Sequence, residues 1–183
     1  MRTFVVGLLL GLIAVPFGLY CYFAYGSAPV ATAAAPMPFE KAMASKALHA
    51  VIEREMPKNV PLQSDEANFT AGAQVYRENC AVCHGLPGQP KTAIAKGMFP
   101  VPPVLLEGRG VTDDPAGETY WKVANGIRLT GMPGFKQSLS DTQMWQVSVL
   151  LAQADKLPVS VKQSLAAPLT PANPAAAGDP AKP

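Results

Sequence analysis

Charge is scarce in this chain. Asp, Glu, Lys and Arg together make up 15% of the 183 residues, and the formal balance is only +2. A nearly neutral chain has no electrostatic footprint for nucleic acid, so that class of partner is not expected. Cysteine is scarcer still: three residues cannot build a disulfide scaffold. Histidine occurs only at His49 and His84. The surplus is elsewhere, in 49% hydrophobic residues and 19 prolines, which point to an apolar segment and to chain that is not packed. One modest domain with attachments is the expectation, at roughly 100–150 residues per domain.

The longest absence is at the start. Between Arg2 and Glu40 there is no Asp, Glu, Lys or Arg, and residues 4–25 are mostly Leu, Val, Ile, Phe, Tyr and Gly. About 20 apolar residues suffice for a helix to cross the hydrocarbon core. Pro16 and the glycines at 7, 11 and 18 are tolerable there, and Tyr20, Tyr22 and Tyr25 form an aromatic belt at one end. A cleaved export signal is the competing reading, with the alanines at 31–35 as its cleavage region, but its apolar core is usually about 7–15 residues. A retained anchor is therefore expected over residues 1–26. Leu19 and Tyr20 before Cys21 do not suit a lipoprotein site, and Cys21 reads as a small apolar residue. Arg2 and the terminal amine favour a cytoplasmic start, which places the remainder outside.

Composition divides the rest. Residues 27–63 read as an Ala/Pro tether followed by a juxtamembrane helix over 39–56, with Met43, Ala47, Ala50 and Val51 on one face, Leu48 and Ile52 widening it, and Pro57 ending it. Residues 64–156 carry the tryptophans and most glycines of a folded unit, with eight basic and nine acidic side chains, a balance of −1. Residues 157–183 are Ala/Pro-rich and read as a disordered tail. A unit of about ninety residues often needs a cofactor or cross-link to be stable.

Cys80-Ala81-Val82-Cys83-His84 is the c-type haem attachment pattern. Two thiols three positions apart on a helical turn can each reach one porphyrin vinyl group, and the next histidine is carried beneath the ring towards the iron. A zinc site wants four ligands, yet the only other cysteine is Cys21 in the apolar segment. A thioredoxin-like pair wants a preceding strand, and a helix is expected here. A disulfide across two residues is sterically poor and leaves His84 without a role.

With Gly72 and Tyr76 before this motif, and Asn125-Gly126-Ile127-Arg128-Leu129-Thr130-Gly131-Met132-Pro133-Gly134-Phe135 after it, the sequence resembles the class I mono-haem cytochromes c. It is most similar to the cytochrome c domains of bacterial oxidase and dehydrogenase subunits. The resemblance covers about residues 65–155. It implies an all-α fold around one covalent haem c, attached at Cys80 and Cys83 and ligated by His84 and Met132. It also implies that Gly72 and Tyr76 pack on a terminal helix over 141–154 that supplies Trp145, Val147 and Leu150. The family commonly has an aromatic where Leu150 falls, so a looser contact is expected. Met98, in a Pro-rich segment with Pro102, is implied to line the haem edge, and Met144 to sit in the core. A proline carbonyl soon after the motif, from Pro87 or Pro90, is implied to hold the second nitrogen of His84. Trp121, Asn125 and Arg128 fall in the segment that faces the haem propionates. His49 reads as a surface residue.

His/Met ligation raises the potential and leaves no open position on iron. The resemblance thus implies an electron carrier without a catalytic site of its own, on the periplasmic face of a bacterial inner membrane, with membrane-bound redox complexes as donor and acceptor. A fixed subunit of an oxidoreductase is the alternative, and a five-coordinate sensor or peroxidase a more distant one.

Overall fold

The computed structural model describes residues 1–26, 28–107 and 114–168, and every regular element among them is helical, as expected. By compactness the chain divides between Ala47 and Leu48.

The first unit contains α1 (Arg2–Tyr25), whose 24 residues extend about 36 Å at 1.5 Å per residue. Its mean hydropathy reaches 2.3 and none of it is buried, so by length and composition it can cross a membrane. Pro16 lies within α1 without ending it. α2 (Glu40–Glu55) begins in the same unit, where the Met37 amide donates to the Glu40 carboxylate at 2.8 Å. The apolar face expected on α2 is mostly uncovered: Ile52 alone is buried, and Met43 is 71% exposed.

The second unit starts inside α2, well ahead of the boundary expected at residue 64. Trp121 Nε1 donates to the Glu55 carboxylate at 3.0 Å, and a β-carbon on Gly117 would come within 2.0 Å of the Pro57 carbonyl oxygen. These contacts make residues 48–63 part of the folded body rather than of the tether.

Three helices frame that body: α3 (Glu66–Asn79), α6 (Ala116–Asn125) and α7 (Asp141–Ala152). Between α3 and α6 lie the short α4 (Ala81–His84) and α5 (Ala93–Gly97). Asp65 caps α3 through the Asn68 amide, and Ser140 with Gln143 forms a reciprocal capping box on α7. α7 crosses α3 and packs on α6. The α3–α7 crossing is tight at Gly72, where a β-carbon would lie 2.4 Å from the Gln146 carbonyl oxygen. Tyr76, Val147 and Leu150 are fully enclosed there, so the contact expected to be loose at Leu150 is closed. Trp145 departs from expectation: it stacks on Tyr120 of α6, with ring centroids 4.2 Å apart, rather than serving the α3 crossing.

The expected start of a disordered tail at residue 157 is wrong. After a 3₁₀ turn (Ala154–Lys156), α8 (Val159–Ala166) packs on α3 and buries Val161 and Leu165, with Leu157 just before it. The spacing of four between these apolar residues lines one helix face. The Arg77 guanidinium closes the end of α8, donating to the carbonyls of Ser164 (2.7 Å), Ala167 (2.6 Å) and Pro168 (3.0 Å). Burial and capping together offset the ordering entropy that the flanking Ala/Pro composition suggests is unaffordable. Residues 169–183 of the expected tail lie outside the described residues.

Candidate haem site

The attachment motif forms one turn. Cys80 follows α3 directly, and its carbonyl accepts from the amides of Cys83 (3.1 Å) and His84 (2.9 Å). Both thiols are free and half-buried. Burial, helped by the neighbouring Cys83, pushes the Cys80 thiol up to about 12, so it stays protonated at neutral pH. Tyr76 braces the turn from below. Its hydroxyl donates to the Gly85 carbonyl at 2.9 Å, and burial holds the phenol well above its ordinary range. Among the described residues, no three Cys, His, Asp or Glu side chains gather as they would to hold an ion.

His84 Nδ1 lies 2.8 Å from the carbonyl of Pro103, so neither Pro87 nor Pro90 is the acceptor. The chain turns after the motif, with Gly85 and Gly88 at positive φ, and it is the segment after α5 that brings a proline carbonyl to the imidazole. A carbonyl can only accept, so Nδ1 carries the ring proton and Nε2 keeps a lone pair. Burial lowers the pKa of His84, and the Lys91 ammonium lowers it further against the opposing effect of the Pro103 bond. A neutral imidazole with its outer nitrogen anchored is the form that binds iron. Two free thiols on one turn and a bare Nε2 therefore fit a c-type haem.

Met132 is half-buried, and it packs with Cys80 against the same core cluster. Its loop is tightly bound. The Met132 carbonyl accepts from the Ile127 amide (3.1 Å), and the Thr130 hydroxyl takes the Met132 amide (3.1 Å) while donating to the Ile127 carbonyl (2.7 Å). Gly126, at φ 68, starts the loop, and a β-carbon there would come within 2.8 Å of the Met132 carbonyl oxygen. The loop then returns to α6 through the Phe135 amide and the Val123 carbonyl, 2.9 Å apart. Met98 lies against this loop: a β-carbon on Gly131 would be 1.7 Å from its Cε and 3.3 Å from its Sδ. Met144 is buried in the core.

The remaining residues divide. Trp121 is not available to a propionate, because its single donor is engaged by Glu55. The Asn125 side-chain amide is likewise spent on its own helix, at the Trp121 carbonyl. Arg128 is exposed, and among the described residues it makes no hydrogen bond or ion pair. Pro87 is half-buried; Pro102 is buried, and its carbonyl accepts from Lys91 Nζ at 3.1 Å. His49 is exposed. Pro103, Lys91, Thr130 and Gly126 were not singled out by their sequence roles. Thr130 and Gly126 lie inside the Met132 motif, whereas Pro103 and Lys91 carry no local signal.

Residues 67–151 match the family described as cytochrome c oxidase, cbb3-type, subunit III. Over 85 residues, 42% of this chain, the sequence is 38% identical to the cytochrome c subunit of the quinone alcohol dehydrogenase of Gluconobacter oxydans (strain 621H). That stretch is only 16% of the Gluconobacter subunit. A chain of the reducing HAO-like protein complex of Kuenenia stuttgartiensis is similar over 58% of this chain and 54% of its own, at 24% identity and a TM-score of 0.45. The attachment turn and the anchored imidazole agree with the family match: residues 67–151 match a c-type cytochrome domain, a family that implies covalent haem c.

Proposed function

We propose that the chain transfers single electrons through one haem c, held by thioethers at Cys80 and Cys83 and ligated by His84 and Met132, at the periplasmic face of a bacterial inner membrane. The observation that carries this reading is the His84 imidazole, whose Nδ1 is committed to Pro103 and whose Nε2 is left to bind metal. The haem supplies a one-electron iron couple. The chain supplies the rest: Cys80 and Cys83 fix the ring, and Pro103 fixes the angle of the proximal imidazole. The Thr130 and Gly126 contacts hold the Met132 loop, so that a thioether can fill the sixth position. With His84 and Met132 both placed to hold the iron, the domain would serve as a carrier rather than a catalyst. The exposed Arg128 side chain remains a candidate donor to a propionate, and Pro87 and Pro102 candidate pocket walls.

The apolar α1 supports membrane anchoring, which would confine the domain near membrane-bound redox complexes and raise its effective concentration there. The relative's name, a cytochrome c subunit of a dehydrogenase, favours a second reading, in which this chain is a fixed redox subunit whose partner holds the substrate.

Haem staining of a denaturing gel tests the assignment. The wild-type chain is expected to retain haem through denaturation, and the Cys80→Ala/Cys83→Ala variant to lose it. Haem retained by the double variant would overturn the attachment site.

A further inference from the structure

One side chain outside the haem motifs reaches the segment that orients His84. Lys91 lies between α4 and α5, is half-buried, and donates through Nζ to the Pro102 carbonyl at 3.1 Å. The next carbonyl along the chain, that of Pro103, accepts from His84 Nδ1 at 2.8 Å. Lys91 and His84 thus grip adjacent peptide groups of one segment, whose successive Cα atoms are about 3.8 Å apart. The neighbouring Thr92 ties the same stretch to the attachment turn, because its hydroxyl donates to the carbonyl of Val82, between the two cysteines, at 2.6 Å. It also accepts from the Ala95 amide at 3.1 Å and so caps α5. Residues 91–92 therefore bridge the turn that carries His84 and the segment that orients it. Among the described residues no carboxylate pairs with Lys91.

We propose that Lys91 is a positioning and potential-setting residue: it fixes the Pro102–Pro103 segment on which the His84 imidazole is oriented, and its ammonium raises the reduction potential of the iron. The inference rests on the cytochrome reading above and deepens it. Oxidation adds one positive charge at the metal. A nearby half-buried cation opposes that charge more strongly than a solvated one does, and so favours the reduced form.

The experiment is a redox titration of the full-length holoprotein in detergent, following the haem absorption, on Lys91→Gln, Lys91→Arg and Lys96→Gln. Lys91→Gln removes the charge and keeps a donor. It is expected to shift the redox equilibrium about tenfold towards oxidation, equal to about 59 mV for one electron, and the difference from wild type should shrink as salt is raised. Lys91→Arg keeps the charge and should stay within about twofold of wild type. Lys96, exposed on α5, undergoes the same charge change without the contact, so Lys96→Gln should also stay within about twofold. A Lys91→Gln midpoint within twofold of wild type, or one matched by Lys96→Gln, would overturn the proposal. If Lys91→Gln does not accumulate, Lys91→Arg decides alone: a tenfold fall despite the retained charge overturns it. The wild-type gel band is read first, and a wild-type chain without covalent haem overturns the cytochrome reading itself, separately from Lys91.

Discussion

Two thioethers lie in one neighbourhood, and only one can take the sixth position on iron. Met132 is held by its backbone at both sides, through the Ile127 amide and the Thr130 hydroxyl, so its side chain starts from a fixed base. Met98 follows the C-terminus of α5 and reaches Gly131 with the flexible end of its side chain. Ligation rewards the fixed base, because less conformational entropy is lost when the bond forms. Met132→Ala is therefore expected to lower the potential and to let the reduced protein bind carbon monoxide, while Met98→Ala keeps the potential within a few-fold redox shift and excludes carbon monoxide. The reverse pattern, seen by optical titration under carbon monoxide, would assign the iron to Met98.

At the scale of the elements, the α3–α7 crossing and the α8 clasp hold the attachment turn from behind. Gly72→Ala places a β-carbon on the Gln146 carbonyl, and this helix contact cannot yield at a side-chain tip. A loss of about 1–3 kcal/mol is expected from such overpacking, read by denaturant unfolding of the holoprotein. Leu165→Ala hollows the α8 contact, where the side chain is 1% exposed, and should cost about 2–5 kcal/mol. A smaller loss would show that α8 is only loosely attached. α6 and α7 are joined by the Tyr120 hydroxyl on the Asp141 carboxylate, which pushes the phenol up to about 12. A folded pKa raised above the unfolded value of about 10 means that this contribution is complete below pH 10 and lost as pH rises through 12. Subtracting the alkaline absorbance titration of Tyr120→Phe from that of wild type should isolate this late step. The motifs that could be read from the sequence are those whose chemistry is local, the attachment turn and the Met132 loop; the close approach at Gly72, whose partner Gln146 is remote, was legible only through the family resemblance. Trp121 was misread and Pro103 was missed because their partners are remote in sequence, Glu55 from α2 and the imidazole across the α5 segment. α8 was missed because a helix of eight residues between prolines looks like tail until Leu157, Val161 and Leu165 are seen against α3.

The whole molecule couples a nearly neutral domain to an apolar helix, and neither part carries a strong electrostatic signal for a partner. Long-range steering is therefore weak, and encounters must depend on proximity or on permanent assembly. These two regimes make different predictions for the chain in its own membrane. A shuttle confined by α1 meets its donor and acceptor transiently, and mild detergent should release it as haem migrating near the monomer mass on a native gel. A fixed subunit keeps its contacts through solubilisation, so its haem should migrate only within a large assembly. Resolving that assembly in a denaturing second dimension would then identify the chain that holds the substrate. Haem found at the monomer mass in membranes solubilised at low and physiological salt alike would decide for the shuttle.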